Sequence, residues 1–409
     1  MSAEPTTSAA DASTTASGAT PYAFVYDPSL GEYQLSDSHP FKPLRLELTR
    51  SLLECVGLLD KTHLVTPEPI SEALLRRIHT DDYIAVVKTL SAGRSHDLAF
   101  RSGLGTADNP IFPGMHDAIM AVCSATVKAV DLVASGRAQR ALNLSGGLHH
   151  AFADRASGFC VYNDLALGIE HAAQHYGLRV LYLDIDAHHG DGVQQLFYER
   201  GDVMTVSIHE SGRYLFPGTG HTYELGKNDG RGLSVNVPLE PFTEDDSYLE
   251  CFEAVVPAAI EAFRPDLILL QAGADMHRYD PLADLALSTR SIGESYRRVS
   301  ELADEFCDGR LVATGGGGYD AYRTAPRAWS QLWAALSRQD MPETLPESWR
   351  QRWQPRSDQP LPSRLYDDLT SWDAIPRQSD IEAHNRTVLR RLRNTLDPVW
   401  RERFGYTLG

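Results

Sequence analysis

The segment 180–192, VLYLDIDAHHGDG, joins an apolar run to the densest group of acidic and imidazole side chains in the chain. Short apolar, β-branched runs are typical of buried strands. Others recur at 23–26, 141–144, 203–208, 267–270 and 311–313, and amphipathic stretches between them predict helices at 46–59, 116–133, 164–175, 245–263, 292–306 and 326–336. This alternation predicts an α/β fold, in which a central, mainly parallel sheet has helices on both faces.

Unusual polar residues follow directly after most of these predicted strands. They are His149 and His150, the acids and histidines of 184–191, His209, Asp275 and Tyr319. In open parallel sheets, ligands bind outside the carboxyl ends of the strands. We therefore expect loops from distant parts of the sequence to converge on one pocket.

A divalent metal site is predicted by the acidic segment itself. Asp184, Asp186 and His188 alternate along an extended backbone, so their side chains point to one face. Two carboxylates and an imidazole can hold a cation, but another ligand must come from elsewhere. Asp275 is the natural candidate because it also follows an apolar strand, although a lone Asp there could instead cap a helix. Such a two-Asp, one-His donor set suits Zn²⁺, Fe²⁺ or Co²⁺.

The adjacent pair His149 and His150 follows a Gly-Gly turn, where two histidines could simply be hydrated loop residues. Asp184 and Asp191 are spare once Asp186, His188 and Asp275 take the metal. A carboxylate behind an imidazole fixes its tautomer and raises its basicity. Two His–Asp dyads beside one metal would supply a general acid and a general base for hydrolysis.

The run TGGGGY at 314–319 places Tyr319 after four glycines, where the backbone can approach a ligand closely. A phenol in this position can donate a hydrogen bond to an oxyanion. A phosphate-binding loop is the rival interpretation, but the run has no following Lys-Ser/Thr and no GxGxxG spacing.

Composition narrows the class of protein. The chain has 38 basic and 55 acidic residues, a formal net charge of -17, and no Lys/Arg-rich run, so we expect no direct nucleic-acid binding. Five widely spaced cysteines without a Cys-x-x-Cys pair suit a reducing compartment. No segment reads as a membrane span or a signal peptide, so we expect a cytoplasmic protein with no membrane partner.

Three regions are predicted along the chain. Residues 1–20, rich in Ala, Ser and Thr, read as a disordered leader, and 21–340 as the catalytic domain. From about 342 to 376 the sequence is rich in Pro, Ser, Arg and Trp, and a polar, helix-like stretch follows at 380–396. We interpret 341–409 as a C-terminal extension that packs on or beside the core.

Several segments together resemble, in collinear order, the motifs of the class I histone deacetylase family of the arginase/deacetylase superfamily. They are HPFKPLR (39–45), HTDDYI (79–84), SGGLHHAF (145–152), SGFCVYND (157–164), LDIDAHHGDGVQ (183–194), SIHESGRYLFPGTG (207–220), LQAGAD (270–275) with DPL (280–282), and TGGGGY (314–319). The segments 103–112 and 273–282 resemble more narrowly the acetoin-utilisation branch. The resemblance covers about 22–333 and implies a three-layer α/β/α, arginase/deacetylase-like fold.

Carried over position by position, the resemblance implies a zinc-type lysine deacetylase. Asp186, His188 and Asp275 would bind the metal, and His149 and His150 would form the catalytic pair. The implied substrate is an acetylated protein lysine, with acetyl-CoA synthetase as the protein that the acetoin-utilisation branch suggests. The implied products are acetate and free lysine.

The remaining implied roles surround that centre. Asp184 would support His149, Asp191 would support His150, and Tyr319 would polarise the acetyl carbonyl. A narrow tunnel for the lysine methylenes would be lined by Gly158, Phe159, Phe216 and Leu282. A structural K⁺ or Na⁺ would bind at Asp184, Asp186, His188, Ser207 and Ile208, and a second near Phe197.

Two tunnel positions complete the comparison with the family. Arg45 would sit at the inner end of the tunnel. Leu104 falls where eukaryotic members carry a rim Asp that grips the substrate backbone. This departure makes peptide-backbone recognition by the rim an open question.

Three other functions stay open at this point. A ureohydrolase of the same fold would need a two-metal DAHxD segment, whereas His189 follows DIDAH here, and Met276 and His277 follow Asp275. An acetylpolyamine or other small acetyl-amide amidohydrolase would use the same residues. A binding module could keep the tunnel to sense an acetylated ligand without turnover.

Overall fold

The structure, a computed structural model, describes residues 21–408, so the predicted leader at 1–20 lies outside the described residues. Eight strands form one sheet: β1 (Tyr22–Val25), β2 (Leu64–Val65), β3 (Arg140–Asn143), β4 (Val180–Asp184), β5 (Val203–Glu210), β6 (Ser234–Leu239), β7 (Leu267–Gln271) and β8 (Leu311–Thr314). Their order is β2-β1-β3-β8-β7-β4-β5-β6, and every described pairing is parallel.

Eleven α-helices are described between residues 21 and 408: α1 (Leu44–Cys55), α2 (Glu72–Leu75), α3 (Asp81–Ser91), α4 (Met115–Ala134), α5 (Asp164–Tyr176), α6 (Asp191–Phe197), α7 (Asp245–Phe263), α8 (Thr289–Phe306), α9 (Ala325–Ser337), α10 (Glu347–Trp353) and α11 (Gln378–Phe404). Helices α4 and α5 pack together, and α1, α9, α8 and α7 form a second continuous layer. The predicted three-layer α/β/α fold is confirmed.

The six predicted strands all exist, because apolar runs buried on both faces give a clear sequence signal. The sequence pattern missed the two edge strands. Strand β2 has only two residues, and β6 (SVNVPL) contains Asn and Pro, which weaken a strand pattern. Pro238 is compatible with β6 because β6 is an edge strand.

The C-terminal extension packs on the core at two places. Trp349 of α10 donates from Nε1 to the Leu48 carbonyl of α1 at 3.0 Å. Trp400 of α11 donates from Nε1 to the Gly232 carbonyl beside β6 at 2.7 Å. The helix predicted at 380–396 is longer than expected and runs over Gln378–Phe404.

None of the helices between residues 21 and 408 combines the length and the apolar character that crossing a bilayer requires.

Candidate active site

Four adjacent strands at the centre of the sheet, β3, β8, β7 and β4, end at one edge. The loops that follow them carry His149 and His150, Tyr319, Asp275 and Asp186, respectively. Because parallel strands end at the same edge, residues far apart in the sequence meet there.

Asp186, His188 and Asp275, here called the metal group, could hold a metal ion: one ligand atom from each residue lies within 4.8 Å of the others. The Nδ1 atom of His188 is 3.0 Å from Asp275 Oδ2 and 3.2 Å from Asp186 Oδ1. All three side chains are at most 10% exposed.

The charges of the metal group favour a bound cation. Within residues 21–408, no lysine or arginine forms an ion pair with Asp186 or Asp275. Burial and the Asp186 carboxylate raise the pKa of Asp275 to about 6. Two buried carboxylates this close repel each other, and a divalent ion would relieve both the repulsion and the cost of burial. The residues present therefore fit a divalent metal.

The protein backbone and one amide side chain fix the carboxylates of the metal group. Asp186 Oδ2 accepts from Gln271 Nε2 and from the Gly317 amide, both at 2.7 Å. Asp275 Oδ1 accepts from the Ala187 amide at 2.9 Å. A Cβ on residue 317 would lie 1.9 Å from Asp275 Oδ2, so only glycine fits there. The glycine run thus encloses the metal group.

The two predicted dyads are formed. His149 Nδ1 is 2.8 Å from Asp184 Oδ2, and His150 Nδ1 is 2.7 Å from Asp191 Oδ1. The imidazole rings of the two histidines are 4.0 Å apart between centroids. Tyr182 also donates its hydroxyl to Asp184 Oδ2 at 2.6 Å, which further fixes that carboxylate.

The two histidines differ in their readiness to hold a proton. Burial lowers the pKa of His149, but Asp184 and Asp186 outweigh burial and raise it to about 9. Burial, followed by the charge on His149, lowers the pKa of His150 to about 4. The same two rings cannot both be charged at 4.0 Å without strong repulsion. Within this pair of adjacent rings, the pKa of one imidazole is therefore raised and the pKa of the other is lowered.

Aromatic side chains surround the approach to this centre. The Phe159 ring packs edge-on against Tyr319 at 5.7 Å, and the Phe216 ring packs edge-on against His150 at 4.9 Å. Phe216 is 45% exposed, so it reaches from His150 to the surface. A Cβ on Gly158 would lie 2.4 Å from the His150 ring. These contacts bring three of the four predicted tunnel residues together.

Leu282, the fourth predicted tunnel residue, is half-buried in the loop after Asp275. Its amide donates to Asp280 Oδ1 at 3.0 Å, and Asp280 Oδ2 accepts from the Tyr319 amide at 2.6 Å. Asp280 therefore ties the Leu282 loop to the segment that carries Tyr319. The roles of all four tunnel residues stay predictions.

Arg45, predicted at the inner end of the tunnel, lies against the glycine run. Its Nη1 donates to the carbonyls of Gly316 and Gly318 at 3.1 and 2.8 Å. These two carbonyls flank Gly317, whose amide holds Asp186, so Arg45 supports the loop behind the metal group. Leu104, only 1% exposed, is buried in the hydrophobic core and offers no polar rim group.

The residues of the predicted K⁺ or Na⁺ site lie in the neighbouring strands β4 and β5 and in the loop after β4. Asp184 of β4 is in register with Ser207 of β5, and Ile208 is next in β5. His209, expected in a loop, lies within β5, where its Nε2 is 3.0 Å from the Gly220 carbonyl oxygen. Binding of a monovalent cation at this site stays a prediction, as does the second site near Phe197.

Sequence reasoning missed three residues that shape the site. Gln271 is the last residue of β7, and its side-chain amide donates to Asp186. A single amide side chain at the end of the apolar run LILLQ was the sequence feature that could have indicated this role. Asp164, at the start of α5, accepts from the Leu148 amide at 2.8 Å and the Gly147 amide at 3.1 Å. It thereby fixes the loop that carries both histidines. Tyr182 lies within the apolar run of β4, and no local pattern marked its bond to Asp184.

Comparison with known proteins agrees with this fold and site. A family model described as the histone deacetylase domain matches residues 39–336. The chain therefore belongs to the histone deacetylase family, and acetyl-amide deacetylase activity follows from that membership.

The relatives narrow the assignment within the family. The acetoin utilization protein AcuC of Bacillus subtilis (strain 168) is 45% identical over 363 residues, which cover 88% of this chain and 94% of that protein. AcuC of Staphylococcus aureus (strain MRSA252) is 42% identical over 368 residues, covering 90% of this chain and 95% of that protein. The chain thus falls in the AcuC branch.

Solved structures show the same architecture. An HDAC homologue from Aquifex aeolicus has a TM-score of 0.79 and 30% identity, and the match covers 90% of this chain and 100% of that one. An HDAC homologue complexed with SAHA has a TM-score of 0.78 and 29% identity, covering 91% of this chain and 100% of that one.

Proposed function

We propose that the protein hydrolyses the acetyl amide of N-ε-acetyl-lysine in protein substrates and releases acetate. The observation that carries this proposal is the buried metal group beside two His–Asp dyads, with Tyr319 in the loop that encloses it. Hydrolysis of an amide needs an activated water, a donor for the oxyanion and a proton for the leaving amine. The site offers a group for each.

Asp186, His188 and Asp275 would hold the metal, with Zn²⁺ as the proposed ion and Fe²⁺ or Co²⁺ as alternatives for the same donors. When bound, the ion would supply Lewis acidity that polarises a carbonyl and acidifies water. Gln271 and Gly317 keep Asp186 in place for this role. Their hydrogen bonds orient a metal ligand in the way that outer partners do in metalloenzymes.

The histidine pair would move the protons. His150, whose pKa is lowered to about 4, is the neutral member and accepts the proton of the attacking water. His149, whose pKa is raised to about 9, holds a proton that the pair can return to the departing lysine amine. Asp184 and Asp191 keep the Nδ1 atoms of the two rings engaged, so each ring has a fixed orientation.

Tyr319 would donate to the oxyanion. Burial, with the charges of Asp275 and Asp186, raises its pKa well above the ordinary value, so the phenol keeps its proton at neutral pH. The rings of Phe159 and Phe216 would contact the lysine methylenes, as apolar walls suit an uncharged acetyl-lysine side chain.

A substrate screen tests the proposal. Acetylated acetyl-CoA synthetase, which the acetoin-utilisation resemblance makes the first protein to try, is compared with an acetylated histone peptide and acetylated polyamines in an acetate-release assay. We expect release from a protein or peptide substrate. Release from polyamines alone would reassign the enzyme to small amides, and binding without release would favour the sensing module. Metal analysis runs in parallel, since two catalytic ions per chain would indicate ureohydrolase chemistry.

A further inference from the structure

One buried carboxylate of the C-terminal extension points into the catalytic part of the chain. The side chain of Asp367, between α10 and α11, is only 7% exposed. Its Oδ2 accepts from His277 Nε2 at 3.0 Å and from the Thr289 amide and hydroxyl at 2.8 Å each. Its Oδ1 pairs with Arg327 Nη2 at 2.9 Å. Three separate segments of the core therefore donate to one carboxylate.

His277 continues this connection towards the active site. It is fully buried and lies two residues after the metal ligand Asp275. The Tyr279 amide donates to His277 Nδ1 at 3.2 Å, so Nδ1 is an acceptor and the ring proton is on Nε2, facing Asp367. The Thr324 hydroxyl lies 3.2 Å from the same Nδ1 and donates to it.

Thr324 belongs to the segment of Tyr319. It precedes α9, five residues after Tyr319. The contacts from Asp367 to His277 and from His277 to Thr324 therefore connect two segments of the active site. One is the loop after Asp275, the other is the segment that follows Tyr319, and both contacts lie on the side covered by the C-terminal extension. Asp280, which accepts from the Tyr319 amide, joins the same two segments closer to the metal group.

We propose that Asp367 is a positioning residue for the active site: through His277 it sets the placement of the metal-ligand loop relative to Tyr319. The inference rests on the proposed deacetylation for its catalytic readout. Every partner of Asp367 donates a hydrogen bond to its carboxylate. In Asp367→Asn, one of the two oxygens becomes an NH₂ group, which would face a donor and could not accept its hydrogen bond. Misplacing reacting groups by about 1 Å can cost 10²-fold in rate, whereas substrate contacts at Phe159 and Phe216 do not involve this network.

The test compares Asp367→Asn with two variants of the extension that leave the network intact. Asp368→Asn makes the same change at the next residue, whose carboxylate bonds to Thr370 instead. Trp353→Phe removes the Nε1 bond to Ser51 and weakens the docking of α10 without touching Asp367. Each variant is assayed as the full-length, metal-loaded protein, well below its melting temperature, and its Co²⁺ affinity is measured by absorption spectroscopy.

We expect Asp367→Asn to lower kcat about tenfold or more, with KM within twofold, and to weaken Co²⁺ binding about tenfold. The two controls should keep wild-type kcat and Co²⁺ affinity. A folded Asp367→Asn protein with wild-type kcat would overturn the inference, as would an equal loss in Trp353→Phe, which would mean that the effect follows general weakening of the extension.

Two further arms keep the outcome decisive. If Asp367→Asn does not fold, Thr324→Val breaks the same connection from the other end without disturbing a charge, and it should lower kcat several-fold. An unchanged kcat there would overturn the inference. If the wild-type protein releases no acetate from any substrate, the proposed function fails. The positioning role is then decided by Co²⁺ affinity alone: weaker binding in Asp367→Asn than in the wild type and the two controls supports it, and equal binding overturns it.

Discussion

Replacing Tyr319 by Phe removes the one hydroxyl group of the residue that follows the glycine run and leaves its ring. Within residues 21–408, no protein atom is hydrogen-bonded to this hydroxyl, whereas the ring packs edge-on against Phe159 at 5.7 Å. The amide of residue 319 would still donate to Asp280, because that bond is made by the backbone. The substitution should therefore preserve the local structure.

The expected effects on stability and on rate differ in size. Losing a hydroxyl without a protein partner should change the free energy of unfolding by less than about 1 kcal/mol. Losing one oxyanion donor typically costs about 10²-fold or more in kcat, or about 3 kcal/mol of transition-state stabilisation. Since the oxyanion forms only in the transition state, KM should change little.

Steady-state kinetics on an acetyl-lysine substrate measures this directly, with thermal unfolding and metal content as controls for intact structure. A kcat within a few-fold of wild type would refute the role of Tyr319 as oxyanion donor and reduce it to a wall of the pocket. A large rise in KM with unchanged kcat would favour an acetyl-ligand binding module.

Three other outcomes test the metal group and the extension. Asp186→Ala and His188→Ala should each abolish metal binding and activity together, and full metal occupancy in either variant would contradict the ligand assignment. Gly317→Ala should also lose metal while staying folded, because the new Cβ would lie 1.9 Å from Asp275 Oδ2; metal analysis beside circular dichroism checks this. Asp367→Asn should lower the free energy of unfolding by about 3 kcal/mol at pH 7, the scale for breaking a buried pair. Burial raises the pKa of Asp367, but His277 and Arg327 outweigh burial and hold it well below its usual range, so this stabilisation is present above about pH 4 and lost as pH falls further. Urea unfolding at several pH values should show the difference between variant and wild type shrink below that pH, and a constant difference would contradict the assignment.

The parts of the site that the sequence could predict are those that stand directly after buried strands. Asp186 and Asp275 are far apart in the chain, but each follows an apolar run, and β4 and β7 are neighbours in the sheet. The rule that strand ends converge therefore placed them together without knowledge of the strand order. Counting the carboxylates left over by the metal predicted two His–Asp dyads, and the resemblance to the family implied which Asp pairs with which His.

The parts that could not be predicted depend on contacts with no local pattern. Asp367 and His277 are 90 residues apart, and neither belongs to a periodic segment. From the sequence, a charged residue such as Asp367 in a Pro- and Ser-rich stretch is expected to be exposed. Only the folded structure shows that its side chain is buried against three segments of the core. Edge strand β6 was missed for a related reason, since Asn and Pro obscured its pattern.

The position of the extension explains why a residue so late in the chain can affect the active site. A separate domain has a hydrophobic core of its own. Leu396 and Trp400 instead belong to the same hydrophobic core as the sheet, and Trp349 shares a second cluster with Leu48 of α1. The change in composition near residue 342 therefore marks a more exposed surface and not an independent folding unit. Because the extension folds with the helices and loops it covers, a carboxylate such as Asp367 can be held rigidly enough to fix a catalytic loop.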